Sequence, residues 1–327
     1  MNVASLILVA ALSAAAFPRP VAASPRPVAT YSIVARDAAT GQIGVAVQSH
    51  WFSVGPIVPF AEAGVGAVAT QSFVDTSYGP LGLELMRAGR AAPEALAALL
   101  AGDSGRDVRQ VGMVDAQGRV STHTGRLCIP AAGGQAGEGY AVQANLMERA
   151  SVWPAMARAY ESAPGDLAER LLAALDAAEA EGGDIRGRQS AALIVVKAES
   201  SGRPWVDRIF DLRVEDDPEP LRELRRLVGL QRAYHHMSAG DECVAVQEWD
   251  CAEKEYGAAL EMQPENAEMA FWYAVALATN GRLEPATPLF RRAFAADARW
   301  RELVRRLPGV GQLPKDPTLM DAILAIR

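Results

Sequence analysis

The sequence predicts an α+β domain followed by an all-helical domain. Short β-branched segments and Ala-rich segments alternate over residues 30–215, and after DDPEP at 216–220 the apolar residues follow a helical period almost to the C-terminus. Strands joined by hairpins, then helices, then strands again are typical of a layered α+β domain rather than a βαβ array. A chain of 327 residues, half of them hydrophobic, can bury a core in each of two domains.

Each element of the first domain follows from a local pattern. The segments TYSIVARD and QIGVAVQS flank turn residues 38–41 and predict an antiparallel hairpin. Small residues alternate over 64–73 and predict a third strand that another layer can approach closely. The remaining predicted elements are helices over 81–88 and 93–101, a hairpin turning at 115–118, a strand GYAVQANL, helices over 152–160 and 167–181, and a closing strand pair, SAALIVVK and WVDRIFDLRV.

The helical domain, residues 221–327, contains an internal repeat. Four positions recur thirty-four residues later: Trp249, Ala252, Tyr256 and Ala259 return as Leu283, Ala286, Phe290 and Ala293. This is the tetratricopeptide period. Two such units rarely form a stable array alone, so we expect them to pack on the first domain, or on each other with residues 222–237 as an added helix. Scaffolding, self-association and peptide capture in a groove are all compatible with this region.

Residues 1–29 have the pattern of a secretory leader. An apolar run over 4–17, too short to span a membrane, precedes small residues and prolines. Cleavage can follow Ala23 or Ala29, and only the second cut makes Thr30 the first residue. We therefore expect a periplasmic or secreted protein. Cys243 and Cys251 could pair in such a compartment, since both fall in one short helical hairpin.

The net charge and the composition limit the classes of partner that the protein can bind. The net charge of -7, without a basic cluster, argues against a nucleic-acid partner. No group of His and Cys has metal-ligand spacing, and no cofactor is expected. The expected partners are a small amide or peptide substrate and a protein, or a second copy, bound through the helical domain.

Thr30 has two interpretations. Threonine is a good strand former, and its place after the leader could be incidental. Alternatively, a cut before Thr30 gives a hydroxyl and a free amine on one residue. The amine, with a reference pKa of about 8, can then accept the hydroxyl proton at neutral pH.

Several longer motifs carry a family resemblance. TYSIVARD, GQIGVAVQS, AGVGAVATQSFVDTSYGPLGLELM, GEGYAVQANLM and GGDIRGRQSAALIVV resemble an uncharacterised bacterial family that has been grouped with the Ntn (N-terminal nucleophile) hydrolases and is sometimes labelled as fimbrial assembly. The resemblance runs from Thr30 to about residue 227. It implies a four-layer αββα sandwich whose first strand begins with a processed nucleophile, and Thr30 matches that position.

The resemblance also directs attention to the ends of the neighbouring strands. Proteasome-like Ntn hydrolases have an acid near the end of the second strand and a lysine on the third, whereas this chain has AVQSHW and AVATQSF there. Ser49 and Gln71 are therefore expected to line the site without charge. Charge could come from Asp75, or from Asp184 and Arg186 in the loop GGDIRGRQS.

Two roles are open for the loop GGDIRGRQS. Arg186 could bind a substrate carboxylate while Gln189 or Asn145 donates to a developing oxyanion. Alternatively, Asp184 and Arg186 form an internal pair that only holds a Gly-rich turn.

Three functions of different class remain after these steps. The first is an amidohydrolase acting on an amide or peptide bond in the cell envelope, with Thr30 as nucleophile. The second is a non-catalytic binding module that works through its tetratricopeptide-like region. The third is a surface-assembly or adhesion protein.

Overall fold

The computed structural model describes residues 30–327. The predicted leader and its two cleavage points lie outside them. The first part of the chain contributes ten strands: β1 (Thr30–Arg36), β2 (Ile43–Ser49), β3 (Pro59–Glu62), β4 (Gly66–Ser72), β5 (Arg109–Asp115), β6 (Val120–Thr124), β7 (Gly133–Gly137), β8 (Tyr140–Asn145), β9 (Ser190–Val196) and β10 (Arg208–Val214). The helices are α1 (Tyr78–Arg87), α2 (Ala92–Gly102), α3 (Val152–Ser162), α4 (Leu167–Ala180), α5 (Pro220–Ala245), α6 (Trp249–Met262), α7 (Ala267–Thr279), α8 (Leu283–Ala296), α9 (Arg299–Arg306) and α10 (Pro317–Leu324).

The strands form two antiparallel sheets. One has six strands in the order β10-β9-β2-β1-β8-β7, and the other has four in the order β3-β4-β5-β6. The predicted hairpins β1/β2 and β5/β6 are confirmed. The sequence analysis missed β3 and β7, which are both edge strands. Their sequences PFAE and GGQAG contain proline and glycine, which are depleted in strands and tolerated mainly at sheet edges.

Successive side chains of β1 point to opposite faces of the sheet and so contribute to two different cores. Tyr31, Ile33 and Ala35 pack against α3 and α4 on the outer face of the six-stranded sheet, while Val34 packs toward the four-stranded sheet. On the far side of the four-stranded sheet, α1 and α2 cover a further apolar cluster. The order of layers is therefore helices, six-stranded sheet, four-stranded sheet, helices.

Helix α5 belongs to two cores. Leu221, Leu224 and Val228 lie in the core beneath α4, whereas Ala233 and Met237 lie in a second core with α6. Arginines of α5 also form ion pairs with acids of α4 and of its N-terminal cap. The packing thus places the change of domain inside α5, later than the linker predicted at 216–220.

The thirty-four-residue repeat has a structural counterpart. Helices α6 and α8 begin and end at equivalent repeat positions, and Ala252 and Ala286 are both buried. Gly240 on α5 meets α6 so closely that an added Cβ would lie 2.7 Å from the ring of Tyr256. A disulfide joins Cys243 at the end of α5 to Cys251 in α6.

We predict that Ala252→Leu and Ala286→Leu each lower the free energy of unfolding by about 1–3 kcal/mol, because both sites are closed and a larger side chain must displace its neighbours. Denaturant titration of each variant measures this. Ala295→Leu, on the exposed side of α8, is the matched control and should have little effect. Equal stability of all three variants would show that the buried face of the repeat is assigned incorrectly.

Candidate functional site

Thr30 lies at the start of β1, next to the ends of two neighbouring strands. Its backbone partners are Ser49, the last residue of β2, and Asn145, the last residue of β8. The Thr30 hydroxyl donates to Ser49 Oγ at 3.2 Å, and all three residues are buried. Three of the residues predicted to form a site are therefore adjacent.

Gln71 reaches this point from the other sheet. Its Nε2 donates to the carbonyl of Thr30 at 3.1 Å and to Gln110 Oε1 at 2.7 Å. Its own Oε1 accepts from the hydroxyl of Ser32 at 2.6 Å. Since Gln71 lies at the end of β4, these bonds fasten the two sheets together at the first residue of β1.

Gln110 determines how the other amides are turned. Its Nε2 faces three acceptors, the carbonyls of Ala144 and Gly133 and the hydroxyl of Thr124, at 2.9, 3.2 and 2.9 Å. Its Oε1 is consequently the atom that accepts from Gln71 and from Asn145. The amide orientations of Gln71 and Asn145 follow from this arrangement.

Asn145 acts here as an orienting group. Its Nδ2 donates to Gln110 Oε1 at 2.9 Å and reaches the carbonyl of Thr30 at 3.5 Å. Both amide hydrogens are thus directed at protein acceptors, which differs from the predicted donation to an oxyanion. Its Oδ1 has no hydrogen-bond partner among residues 30–327.

Two strained residues directly follow this cluster. Ser72, next to Gln71, has φ of 70°, and Leu146, next to Asn145, has φ of 58°. Left-handed backbone is uncommon for residues other than glycine and is concentrated at functional sites. In both strands this left-handed residue comes directly after the polar side chain, Gln71 in β4 and Asn145 in β8, and the strand ends there.

The loop with Asp184 and Arg186 crosses the end of β1. Asp184 accepts from the backbone amide of His50, just beyond β2, and the amide of Ile185 donates to the carbonyl of Leu146, just beyond β8. The loop therefore spans the two strands that flank Thr30. Arg186 donates to the buried carboxylate of Asp184 through Nε at 3.1 Å and Nη2 at 2.8 Å, and part of its side chain reaches solvent.

Asp75 and Gln189 are directed elsewhere. Asp75 accepts from the backbone amide of Ser77 at the start of α1 and lies 3.8 Å from Arg109. Gln189 donates to Asp216, on the segment that leads into α5. The structure does not bring either residue to Thr30, because each side chain is held in a local turn or connection.

The opposite face of β1 is also anchored by polar atoms. The Tyr31 hydroxyl contacts Gln48 and donates to Glu179 of α4. Burial, with Glu179 next in importance, raises the pKa of Tyr31 well above its ordinary value, so the phenol stays protonated and remains a donor. The segment that presents Thr30 is thus fixed on both sides.

Between residues 30 and 327, His, Cys, Asp and Glu side chains nowhere form a group of three that could hold a metal ion. Over the same residues, the structure has no helix with the length and apolar character needed to cross a membrane.

Comparison with known proteins identifies the first domain. A family model described as a family of unknown function, DUF1028, matches residues 30–224. The chain belongs to this family. Among solved structures, the chain is similar to the crystal structure of protein SPO2555 from Silicibacter pomeroyi, which is also described as a DUF1028 protein. The two are 29% identical, with a TM-score of 0.55, over 65% of this chain and 91% of that one. No curated protein matches.

The DUF1028 match begins at Thr30, the first residue of β1, and ends within α5. The sheets, α1–α4 and the first turn of α5 therefore make up the matched DUF1028 domain. This agrees with the packing, in which Leu221 and Leu224 complete its core.

Gln110, Gln143 and Ser32 were missed as parts of the site. Gln143 Nε2 donates to Ser32 Oγ at 2.7 Å, which continues the polar cluster along β1 and β8. A signal was present: each of these polar residues interrupts an otherwise apolar strand, and each is buried. Buried polar residues inside strands require partners, and these were available only between the sheets.

We predict that Gln110→Met lowers the free energy of unfolding by about 2–4 kcal/mol, because it leaves several buried donors and acceptors unpaired while conserving volume. Denaturant titration measures the loss. Gln117→Met, at an exposed position in the turn after β5, is the control. A loss at Gln110 no larger than at Gln117 would contradict the central role of this amide.

Proposed function

We propose that the DUF1028 domain is an N-terminal-nucleophile amidohydrolase, with Thr30 as the nucleophile after cleavage of the bond that precedes it. The observation that carries the proposal is the position of Thr30. It starts a central strand, and its hydroxyl bonds to Ser49 beside a cluster of buried amides. The order of layers, helices outside two stacked sheets, is the one that the Ntn resemblance implies.

The chemistry needs few groups. The free α-amine of Thr30 accepts the hydroxyl proton as Oγ1 attacks the carbonyl carbon of an amide. Collapse of the tetrahedral intermediate expels the amine, which leaves with a proton, and gives an ester on Thr30. Water then attacks the ester, releases the acid and restores the hydroxyl. Ser49, which bonds to the hydroxyl, is positioned to orient it.

The proposed role of the neighbouring side-chain amides is to orient Thr30. Gln71 and Asn145 both direct N–H groups at the Thr30 carbonyl. The backbone of the nucleophile is thereby held while its side chain and amine react. Such preorganisation is a large part of catalysis, because groups fixed before the reaction need no reordering during it.

Processing is a requirement of this proposal. In the full chain the nitrogen of Thr30 is part of a peptide bond and is not basic, and Thr30 is fully buried. We propose that the leader directs the protein to the periplasm or outside the cell, and that cleavage after Ala29 produces the active form. An amide or peptide of the cell envelope is the corresponding substrate.

Arg186 is the residue proposed to select the substrate. Its guanidinium lies on the loop that crosses the end of β1, is held by Asp184, and is partly open to solvent. The positive charge of a guanidinium held in this place suits a carboxylate near the scissile amide.

A second candidate is a binding protein without catalysis. A groove of about 860 Å³ in the helical region and the full burial of Thr30 favour it. We propose that this region, whose helices repeat with the tetratricopeptide period, is then the working surface for a partner or for surface assembly.

We predict that a chain beginning at Thr30 hydrolyses fluorogenic peptidyl amides and that the full chain does not. Thr30→Ala in the processed chain should abolish turnover, whereas Thr30→Ser should retain part of it, because a hydroxyl and an amine on one residue are sufficient. Initial rates, with intact mass to confirm the first residue, measure this.

One added residue before Thr30 is the matched control, since it acylates the amine and leaves the side chain unchanged. It should be nearly as harmful as Thr30→Ala. Full activity in a chain that retains residues 24–29 would remove Thr30 from the mechanism, whereas a chain beginning at Thr30 without any activity would favour the binding role.

We predict that Arg186→Met raises KM for amides with a neighbouring carboxylate by about tenfold or more, because the positive charge of the guanidinium is lost. Asp184 keeps backbone donors from His50 and from residue 186 itself, so Tm should change little. Arg188→Met, which removes an arginine paired with Glu179 and Glu219, is the control. A large fall in Tm with KM unchanged would show that Arg186 only holds the turn.

A further inference from the structure

Apolar side chains lie at the edge of the site at Thr30, beside Arg186. Ile185 is 63% exposed, and Leu146 and Ile129 are each partly exposed. We propose that these three residues, the apolar rim, bind the apolar side chain of the substrate residue whose carboxylate contacts Arg186. The preferred substrate is then an N-acyl derivative of an apolar amino acid with a free carboxylate. This inference rests on the proposed function and names its substrate class.

Backbone hydrogen bonds place the three residues of the apolar rim side by side. The amide of Ile185 donates to the carbonyl of Leu146 at 3.2 Å, and the amide of Leu146 donates to the carbonyl of Ile129 at 3.4 Å. The three residues belong to different segments, which are the loop before β9, the residues after β8 and the residues before β7. The apolar rim therefore crosses from one segment to the next.

Register and burial show which side of these segments the apolar rim occupies. Met147 and Asp184 form an antiparallel bridge and are only 2% and 4% exposed. The next pair along the same two segments is Leu146 and Ile185, and both are more exposed. Because successive residues of extended backbone face opposite ways, the buried pair points into the domain and the apolar rim points outward.

The apolar rim lies close to the point where an amide would react with Thr30. Asp184 accepts from the amide of His50, just beyond β2, and Ile185 donates to Leu146, just beyond β8. Strand β1 lies between β2 and β8, and neighbouring strands are about 4.8 Å apart. The segment that carries Ile185 therefore passes within about one strand spacing of the first residue of β1.

Ile185 and Arg186 occupy the two corners of one β-turn. The amide of Gly187 donates to the carbonyl of Asp184 at 2.8 Å and closes this turn. The Cα atoms of consecutive residues are about 3.8 Å apart. A carboxylate and an apolar side chain on one carbon of the substrate can thus contact the two corner residues together.

Leu146 has a backbone conformation that other residues adopt more easily. Its φ of 58° lies in the left-handed region, where glycine and asparagine are favoured over leucine. Within residues 30–327, none of the three residues of the apolar rim belongs to one of the apolar cores. Core packing therefore does not account for a leucine here, whereas strained residues concentrate at ligand sites.

Calorimetric titration with N-acetyl amino acids tests the apolar rim separately from the chemistry. The protein is the processed chain with Thr30→Ala, which does not turn the ligands over. N-acetyl-L-leucine should bind at least about tenfold more tightly than N-acetylglycine, because its side chain leaves water on the apolar rim. N-acetyl-L-leucinamide, which lacks the carboxylate, should bind at least about tenfold more weakly than N-acetyl-L-leucine.

Variants of the apolar rim should remove the preference for leucine. Ile185→Ser should reduce it to about twofold or less and leave the affinity for N-acetylglycine unchanged. Leu146→Asn should also reduce it without lowering Tm, because asparagine tolerates left-handed backbone. Val310→Ser is the matched control, since it removes a 73% exposed apolar side chain from the helical region, and it should keep the full preference.

Initial rates with the same compounds and the processed chain that retains Thr30 separate this inference from the proposed function. Hydrolysis without a preference for leucine, or with the preference retained in Ile185→Ser, would overturn the apolar rim and leave Thr30 as the nucleophile. Preferential binding of N-acetyl-L-leucine without hydrolysis would support the apolar rim and overturn the catalytic proposal. Equal affinity for the leucine and glycine compounds, equal affinity for the leucinamide, or no binding would each overturn the inference.

Discussion

The DUF1028 domain depends on a neutral polar cluster buried between its two sheets. Amides and hydroxyls from β1, β4, β5 and β8 bond to one another where an apolar core would be expected. Each of these hydrogen bonds restricts the orientation of the two side chains that it joins, while Asn145 Oδ1 and Gln143 Oε1 have no hydrogen-bond partner among residues 30–327. The register of the strands and the alignment of the sheets are thereby linked to the position of a single threonine.

The side chains of this cluster carry no charge, and this has a chemical consequence. Clusters of charge in a protein interior need close compensation, whereas amides and hydroxyls satisfy one another at modest cost. A nucleophile placed among them needs a base of its own, and an N-terminal amine is the base that requires no further side chain. The absence of carboxylates and lysines from the predicted strand ends is thus compatible with the proposed chemistry.

The sequence was sufficient for the strong periodic elements. The β1/β2 hairpin, α1–α4 and the repeat in the helical region could be predicted because the spacing of their apolar residues is visible within each short segment. Thr30, Ser49, Gln71 and Asn145 were found because the strand ends were known from the resemblance. Gln110 was missed because its importance lies in the pairing of β5 with β4 and in the face that β5 turns inward. Asp75 was included for its charge and Gln189 as an amide donor of the loop GGDIRGRQS. Their actual partners, Ser77 and Asp216, depend on the path of the loops.

Helix α5 was predicted to start near Pro220, but its division between two cores required knowing which of its residues meet which layer. That division has a mechanical consequence. Twenty-six residues of α-helix form a rod of about 39 Å, clamped at one end in the DUF1028 domain and at the other in the helical region. Because the helix is continuous, a rotation of the helical region about its axis is passed on to the DUF1028 domain. A partner bound to the helical region would therefore be held at a fixed angle and distance from the two sheets.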